Sequence, residues 1–418
     1  MIKKITRVLE KIGQSRYLIA VRDGIGMTMP LIIVSSFLLL FAYIPLPESW
    51  GITIWFRANA ELFLMPYRMT MFIMSIYIVV GVGASLAKSR ELDPTVGSII
   101  ALVGYFLSIV PMFIATPMFV SDIGWVIPTT NLGATGIFSG IIIAIFAVEV
   151  LFLCQKIKLT KIIPKDAPPA VASSFEAVIP TIIVVMTMML LTQVFNIDIH
   201  AIIGIIFNPI STGINSIFGV WAIILMITLT WSLGIHGAGV IGMLARPFWL
   251  TLQYQNTAAY ALGEIIPNIA PEAIFQWFIW IGGSGATIGL AILLLLMSRS
   301  KANKSLGKIS ILPAIFNINE PIIFGAPIVM NPILIVPFVL APLVNATIAY
   351  LALYVGWIDR FVNVQIWTMP GPLGAFLATG GDYRAFILSV LLIISSMIIY
   401  YPFFRKYDST LFRKETAK

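Results

Sequence analysis

The sequence has 418 residues, of which 59% are hydrophobic and only 11% are charged, and its mean hydropathy is +0.98. Soluble domains carry about 25% charged residues. The composition therefore excludes a water-soluble globule of this size and predicts an all-α protein that crosses a lipid bilayer many times. The net charge of +8 does not indicate nucleic-acid binding, because most lysines and arginines lie in short segments beside apolar stretches, as in cytoplasmic loops.

The cysteine and histidine content limits the chemistry further. Cys154 is the single cysteine, which excludes an internal disulfide and a paired-cysteine metal or redox site. Two histidines leave no room for a histidine-rich metal site. We therefore expect neither a metal nor a cofactor.

The first half of the chain predicts conventional membrane crossings. The basic start, residues 1–22, predicts an amphipathic helix on the cytoplasmic surface and has no cleavable signal motif. Basic loops at 88–90 and 156–165 alternate with the loop 115–133, which has no lysine or arginine. The N-terminus is therefore predicted inside and residue 196 outside. Stretches long enough to span the bilayer lie near 27–44, 64–87, 95–115, 134–154 and 175–195.

The predicted sides of the loops require one membrane crossing in the second half that does not appear as a continuous apolar stretch. Residue 196 is predicted outside and the basic loop 299–308 inside, so an odd number of crossings lies between them. The segment 236–256, broken by glycine, proline and polar residues, is the predicted hidden one. The total is about ten crossings, with both termini cytoplasmic. The clear spans lie near 218–235, 271–297, 332–356 and 384–404.

Six prolines in residues 313–342 argue against a continuous helix there. The basic loop 299–308 and the C-terminus are both predicted inside, so an even number of crossings lies between them, and the spans 332–356 and 384–404 already supply it. The proline-rich segment must therefore enter and leave by the same side, as a re-entrant hairpin. The stretches 367–374 and 376–385 are predicted to be irregular and partly inserted as well. Broken helices at the middle of the membrane are where many transporters bind their substrates.

Glu320, in the sequence NINEP, is the strongest candidate site residue. A carboxylate at bilayer depth is costly unless it faces a cavity or a partner, so such residues are functional by default. The alternative is a helix-capping role in which Pro321 begins a helix. The neighbouring Asn317 and Asn319 either shape the turn or bind ligand hydroxyl groups.

His236 lies between glycines in WSLGIHGAGVIG, where the backbone can approach a ligand closely. The alternative is a buried histidine with its hydrogen bonds satisfied, which is the interpretation preferred for His200. Trp367 either stacks on a sugar face or anchors the chain at the membrane interface. Asp382 and Arg384 are predicted to form a local ion pair at the membrane edge.

Several motifs of other membrane proteins are missing. The sequence contains no GxxxxGK[ST] loop, no arginine-rich voltage sensor and no HExxH motif. What remains is a solute permease whose site combines a carboxylate, amides, an imidazole and aromatic rings. This set suits a neutral polyhydroxylated ligand, because no cluster of buried arginines awaits an anion. The energy must come from an ion gradient or a partner protein.

The run FNINEPIIFGAPIVMNPILIVPFVLAPLVN resembles the signature of the membrane-spanning IIC component of the bacterial phosphoenolpyruvate–sugar phosphotransferase system, in its lactose/cellobiose/chitobiose branch. The resemblance covers nearly the whole chain. Other stretches that agree with it are YLIAVRDGIGMTMPLIIVSSFLLL, PPAVASSFEAVIP, WSLGIHGAGVIG and MPGPLGAFLATGGDYRAFIL.

The resemblance implies about ten transmembrane helices with re-entrant hairpins, in a multi-pass protein of the bacterial cell membrane. It implies a homodimer formed through the N-terminal half, residues 1–196, and a substrate-binding transport domain, residues 218–418. A crossover or interfacial helix, residues 197–217, joins the two. Movement of one domain past the other, as in an elevator, would carry a β-linked disaccharide of the cellobiose, chitobiose or lactose type inward.

The resemblance also assigns roles to residues and partners. Glu320 and His236 would lie at the hydroxyl that is phosphorylated, with Asn319 and Trp367 lining the site. The 6-hydroxyl would receive phosphate from a phosphocysteine on a separate IIB protein, itself supplied by IIA, so this chain is the transport subunit of a transferase complex. Two alternatives remain: a proton-coupled sugar transporter with Glu320 as proton carrier, and a sensor or scaffold that binds sugar without transport.

Overall fold

The computed structural model describes residues 14–114, 124–159, 175–329 and 331–417. These residues are almost entirely helical, as expected where a bilayer offers no water to backbone groups. The one strand pairing among them is antiparallel and joins β1 (Met112–Ile114) to β2 (Gly124–Val126). Three parts of the sequence predictions lie outside the described residues: 1–13 of the basic start, 115–123 of the loop without basic residues, and 160–165 of the second basic loop.

The helices of the first half alternate with short connections. A π-helical turn, Leu190–Val194, follows α8 in the chain, and α9 is bent from that segment by 88°. The bounds are α1 Arg16–Gly26, α2 Met29–Ala42, α3 Gly51–Ala58, α4 Ala60–Met71, α5 Met74–Ser89, α6 Pro94–Leu107, α7 Ile137–Lys156, α8 Val178–Met189 and α9 Ile199–Asn215.

The helices of the second half include several too short to cross a bilayer. A π-helical turn, Phe275–Ile279, follows the three-residue α12. The bounds are α10 Ile217–Ser232, α11 Gly237–Ala261, α12 Glu272–Ile274, α13 Ile288–Met297, α14 Lys301–Ile315, α15 Glu320–Gly325, α16 Pro332–Tyr354, α17 Gly371–Ala378 and α18 Tyr383–Thr416.

Length and composition make five helical segments of the described residues candidates for membrane spans, or six if the bent pair α8–α9 counts as one span. The multi-pass membrane protein predicted from composition is thereby supported, and the number of about ten crossings stays a prediction. The five segments are Arg16–Ala42, Ala60–Ser89, Ala134–Lys156, Pro332–Tyr354 and Tyr383–Thr416.

The chain divides into two compact units. One consists of Ile33–Pro66 and the described part of Ser211–Lys418. The other consists of the described parts of Lys11–Ile32 and Tyr67–Ile210. The proposed roles of 1–196 in dimerisation, of 197–217 as a crossover and of 218–418 in transport stay predictions.

Close glycine contacts hold the helices of the second unit together. Gly24 of α1 lies against α5, where a Cβ atom on it would come within 2.5 Å of the Val82 nitrogen. A Cβ atom on Gly81 would likewise come within 2.7 Å of the Gly24 carbonyl oxygen. Small residues of this kind let helix backbones approach closely in membrane proteins.

The segment 271–297, predicted as a clear span, is not one continuous helix, and whether it crosses the membrane stays a prediction. The chain passes from α12 through the π-helical turn into a loop at 280–287, and only then into α13. Gly282, Gly283 and Gly285 in this loop have φ angles of +80°, +95° and +85°, which side-chain-bearing residues rarely adopt. The Tyr400 hydroxyl donates to the Gly285 carbonyl over 2.8 Å and so helps to fix the loop.

The prolines of 313–342 interrupt the helices less than predicted. Helical structure stops at Phe316 and again after Gly325, but Pro337 and Pro342 lie inside the 23-residue helix α16. Each of these two prolines removes one backbone donor without ending the helix, and both are buried. The described part of this segment therefore has two breaks, at 316–319 and 326–329, and a continuous helix from Pro332.

Two carboxylates of α18 fix the start of α14. The Asp408 side chain accepts hydrogen bonds from the Arg299 amide over 2.8 Å and from Asn303 Nδ2 over 2.9 Å. Glu415, two helical turns further on, accepts from the Ser300 hydroxyl over 2.6 Å and from the Lys301 amide over 2.9 Å. Acceptors placed here satisfy backbone N–H groups that have no partner within the helix.

The predicted ion pair between Asp382 and Arg384 is confirmed, with Arg384 Nε 2.8 Å from Asp382 Oδ1. Asp382 also accepts from the Asp359 amide over 2.9 Å and caps α18 by accepting from the Arg384 amide. Burial alone would raise the pKa of Asp382, but these hydrogen bonds and the Arg384 charge outweigh it and hold the pKa below its usual value.

Candidate functional site

The NINEP segment forms a tight turn between two helices. Asn317 has a φ angle of +62°, in the left-handed region, and reverses the chain after α14. Asn319 occupies the cap position of α15, and Glu320 is the first helical residue. The capping position predicted as an alternative role for Glu320 thus falls on its neighbour, and the Glu320 carboxylate remains available for another partner.

His236 is that partner. Its Nε2 atom lies 3.8 Å from Oε1 of Glu320, and both side chains are about half exposed to the cavity described below. The other ring nitrogen, Nδ1, accepts a hydrogen bond from the Gly239 amide over 2.8 Å at the start of α11. Because Nδ1 accepts, the proton of the neutral ring is on Nε2, which can donate toward Glu320 or a ligand hydroxyl.

Asn317 uses its whole side-chain amide to join two loops. Oδ1 accepts from the Gly282 amide over 3.0 Å, and Nδ2 donates to the carbonyl oxygens of Trp367 and Met369, each over 2.9 Å. The side chain is 8% exposed. Both amide hydrogens are therefore committed to the protein, and the residue holds the glycine loop and the Trp367 segment against the NINEP turn.

Asn319 is fixed by the same glycine loop. Its Nδ2 donates to the Ser284 carbonyl over 2.7 Å. A Cβ atom added at Gly283 would lie 2.4 Å from Cγ of Asn319. The Asn319 amide therefore packs against the Gly283 backbone so closely that only glycine fits there. Asn319 Oδ1 makes no hydrogen bond to another described residue and is an acceptor for a ligand.

These residues surround one cavity of about 220 Å³ within a single compact unit. Among the described residues that line it, none is a lysine or an arginine, so the wall suits a neutral ligand. The indole N–H of Trp231 is buried without a partner among the described residues, and its ring centroid lies 4.4 Å from that of His236. The lining residues are Trp231, His236, Ala238, Gln276, Trp280, Gly283, Ser284, Asn317, Asn319, Glu320 and Trp367.

All five residues singled out in the sequence thus line the same cavity. The lining residues not foreseen are Trp231, Ala238, Gln276, Trp280, Gly283 and Ser284. The cluster GGSG at 282–285 and the lone amide of Gln276, both inside an apolar stretch, were the available signals. Because the hydropathy of that stretch predicts an ordinary span, these signals are easily overlooked.

His200 lies in the other compact unit and has both ring nitrogens satisfied. Nε2 lies 2.9 Å from the Ser108 hydroxyl and Nδ1 lies 2.6 Å from the Ser139 hydroxyl. Its ring also meets the edge of Tyr105, with centroids 5.9 Å apart. The prediction of a structural role for His200 is consistent with these contacts.

Apolar helices of spanning length and a cavity of hydroxyl-binding groups without cations define the class: a membrane permease for a neutral solute. The family model described as "Phosphotransferase system, EIIC" matches residues 22–342. The chain belongs to this family and is the sugar permease component of a phosphotransferase system, as its resemblance indicated.

Curated relatives match along the full chain. The putative permease IIC component YwbA of Bacillus subtilis is 37% identical over 100% of this chain and 96% of its own length. The cellobiose-specific EIIC component of Geobacillus stearothermophilus is 35% identical over 99% and 95%. A lactose-specific EIICB component of Staphylococcus aureus is 32% identical over 100% of this chain but only 73% of its own length.

A solved structure has the same fold. The crystal structure of ChbC, the IIC component of the N,N'-diacetylchitobiose-specific phosphotransferase system, superimposes with a TM-score of 0.91. The match covers 100% of this chain and 99% of ChbC at 32% identity. Family membership supports the phosphotransferase interpretation and not the proton-coupled alternative.

Proposed function

We propose that this permease binds a β-linked disaccharide of the cellobiose, chitobiose or lactose type and presents its 6-hydroxyl for phosphorylation at the cytoplasmic face. The observation that carries the proposal is the pair His236 and Glu320, 3.8 Å apart in a cavity without cations. The relatives named for cellobiose, lactose and N,N'-diacetylchitobiose support this substrate class.

The cavity fits one sugar ring better than two. Its volume of about 220 Å³ lies below the range of about 300–1,000 Å³ of most small-molecule sites. One pyranose ring would occupy it, with its apolar face against Trp280 or Trp367 and a hydroxyl toward Asn319. The second ring would extend beyond it, where linkage and N-acetyl substituents are distinguished.

The two ionisable residues then divide the chemistry. The Nε2–H of His236 donates to the O6 oxygen and orients it. The Glu320 carboxylate accepts the O6 proton as O6 forms its bond to phosphorus and the phosphorus–sulfur bond to the donor cysteine breaks. The charged sugar phosphate no longer suits a wall built for a neutral ligand, so it leaves toward the cytoplasm.

The phosphoryl donor is proposed to be a cysteine on a separate IIB chain, which IIA phosphorylates in turn. The only cysteine of the sequence, Cys154, is buried in α7. The lactose relatives, named EIICB, carry additional sequence beyond the matched region. That arrangement supports an interaction between the two components.

The proposal includes a homodimer in a bacterial cell membrane, with both termini cytoplasmic. The basic segments 299–308 and 405–418 support this orientation. Dimerisation through the N-terminal half would leave the transport domain free to move inward as in an elevator. The cavity around His236 and Glu320 would then open first to one side of the membrane and then to the other.

The test uses inside-out vesicles that contain this protein, the soluble phosphotransferase proteins and a panel of radiolabelled disaccharides. We expect label to become sugar phosphate only when phosphoenolpyruvate and a matching IIB are both present, and the panel identifies the sugar. Movement of unmodified sugar with a proton gradient and without phosphoenolpyruvate would overturn the proposal. Binding without flux or phosphorylation would instead indicate a sensor.

A further inference from the structure

A second cavity, of about 370 Å³, lies in the same compact unit as the His236–Glu320 site but is lined by different residues. We call it the Tyr43–Tyr260 cavity. Its volume falls within the range of about 300–1,000 Å³ that small-molecule sites occupy. The lining residues are Ala42, Tyr43, Ile44, Pro45, Arg57, Ala60, Tyr260 and Gly380.

The cavity lies far from the first site, at the opposite end of α11. His236 caps the start of this helix and Tyr260 is its penultimate residue, so the two are separated by about 36 Å of helix. The cavity also adjoins the end of α2 and the start of α18. Because α18 runs from here toward the basic segment 405–418, the proposed orientation puts the cavity on the side away from the predicted cytoplasmic loops.

The wall presents aromatic rings and hydroxyl groups together. The Tyr43 and Tyr260 rings lie 4.9 Å apart between centroids, with an interplanar angle of 59°. Neither hydroxyl makes a hydrogen bond to another described residue, although both side chains are partly buried. Aromatic faces suit the C–H groups of a pyranose ring, and the free phenol groups can donate to and accept from its hydroxyls.

The charge in the cavity is balanced. Nη1 of Arg57 lies 2.6 Å from Oε1 of Glu48, so the guanidinium is already paired with a carboxylate. Its remaining N–H groups can still donate to a ligand oxygen. A neutral polyhydroxylated ligand fits this arrangement better than an anion, which would have to compete with Glu48.

The shape of the cavity is fixed by a glycine turn. Gly380 and Gly381 have φ angles of +76° and +102°, and a Cβ atom at Gly381 would come within 2.0 Å of Pro45 Cβ. The turn therefore packs directly on the segment that carries Tyr43. Asp382 follows at once and is held by Arg384 and the Asp359 amide, which keeps the turn in place.

We propose that the Tyr43–Tyr260 cavity is a second binding site for a neutral pyranoside, where the sugar first contacts the protein on the non-cytoplasmic side. This inference rests on the proposed function, because it takes the transported sugar as the ligand. It assigns Tyr43, Tyr260 and Arg57 a role in capture, separate from phosphorylation at His236 and Glu320.

The test is protection of a cysteine from an impermeant thiol reagent in right-side-out vesicles. Ala60→Cys places the target in the cavity wall, in a chain that also carries Cys154→Ser and Glu320→Ala, so the first site is disabled. Ile52→Cys, exposed on α3 and outside the cavity lining, is the matched control. Cellobiose, lactose and N,N'-diacetylchitobiose are the probes.

We expect at least one of these sugars to slow labelling of the Ala60→Cys chain several-fold and to leave the Ile52→Cys chain unaffected. Adding Tyr43→Ala should abolish the protection, whereas Tyr43→Phe, which keeps the ring, should retain part of it and exclude a folding defect. Equal labelling with and without every sugar, equal slowing at both cysteines, or labelling only in inside-out vesicles would overturn the inference.

A parallel assay separates this inference from the proposed function. Phosphoenolpyruvate-dependent phosphorylation is measured in inside-out vesicles with the unsubstituted chain. If sugar phosphate forms but no sugar protects the cysteine, only the second site fails. If no sugar phosphate forms with any sugar although the partner proteins are active, the proposed function fails.

Discussion

His236 Nε2 lies 3.8 Å from Glu320 Oε1, while the opposite ring nitrogen of His236 accepts from the Gly239 amide. The backbone of α11 therefore decides which nitrogen carries the proton. The gap between the two side chains is too long for a direct hydrogen bond and leaves the donor and the acceptor available to one ligand hydroxyl. A group that donates and a group that accepts are thus presented side by side to the same oxygen.

Replacing Glu320 by glutamine should separate binding from phosphorylation. The side chain keeps its size but cannot take up a proton, so we expect phosphorylation to fall by about 10²–10⁴-fold. Sugar affinity should change by less than about tenfold, because the amide oxygen still accepts a hydrogen bond. Vesicle phosphorylation and equilibrium binding of the purified protein measure the two quantities.

The control for this prediction is Glu264→Gln, a charge change on an exposed loop residue outside the cavity. It should leave both quantities unchanged. Undiminished phosphorylation by the Glu320→Gln protein would show that Glu320 only positions the hydroxyl.

Asn317→Ala should destabilise the protein and impair sugar binding together. The change leaves the Gly282 amide and the Trp367 and Met369 carbonyls without their partner, and an unsatisfied buried group costs about 1–3 kcal/mol. Alanine is also strained at a φ of +62°. Asn317→Gly removes the same hydrogen bonds without that strain, so it should lose about 1 kcal/mol less.

Thermal unfolding in detergent compares the two Asn317 variants. Equal loss of stability would mean that backbone strain at this position is unimportant. A normal stability with lost sugar binding would instead make Asn317 a direct ligand contact.

Gly283→Ala should weaken sugar binding as well as folding, because alanine is also strained at a φ of +95°. The new methyl group would overlap the Asn319 amide and displace the acceptor that faces the cavity. We expect at least about a tenfold loss of affinity, equivalent to about 1.4 kcal/mol. Gly242→Ala is the matched control, because its Cβ position in α11 is open; it should bind normally and be slightly more stable. Normal binding by Gly283→Ala would contradict the role given to Asn319.

Asp382→Asn should cost stability in a pH-dependent way. The folded pKa of Asp382 is held below its ordinary value of 3.8, so the stabilisation is fully present above that value and is lost as the pH falls through the folded pKa. The difference in melting temperature between wild type and variant should therefore be constant near pH 6 and shrink toward about pH 3. A difference independent of pH across this range would show that the charge of Asp382 contributes nothing.

Two residues of the cavity could be singled out from the sequence because their signals were chemical. A carboxylate in an apolar run and a histidine among glycines are costly in a membrane, so each pointed to a cavity without knowledge of the fold. The structure places Glu320 and His236 together although 84 positions separate them in the chain. The resemblance of the NINEP run to a known family pointed to the same two residues.

The rest of the site depends on backbone geometry, which composition does not reveal. Gly283 contributes no side chain, and its role comes from a φ of +95° and close approach to Asn319. Trp231 in α10 and Trp280 at the start of the loop 280–287 are ordinary residues for an apolar span, and only the fold shows that both line the cavity. Pro337 and Pro342 predicted a break that the structure does not have, because α16 stays helical through both.

The carboxylates of Asp408 and Glu415 connect the C-terminal helix to α14, the helix that ends at the NINEP turn. They grip the first turn of α14, and the last turn of that helix runs directly into Asn317 and the carboxylate of Glu320. A protein that binds the C-terminal tail, or a force applied to the tail, would thus displace α14 and with it Asn317 and Glu320. If the phosphoryl donor protein binds the tail, its binding would also position the residues beside the sugar hydroxyl.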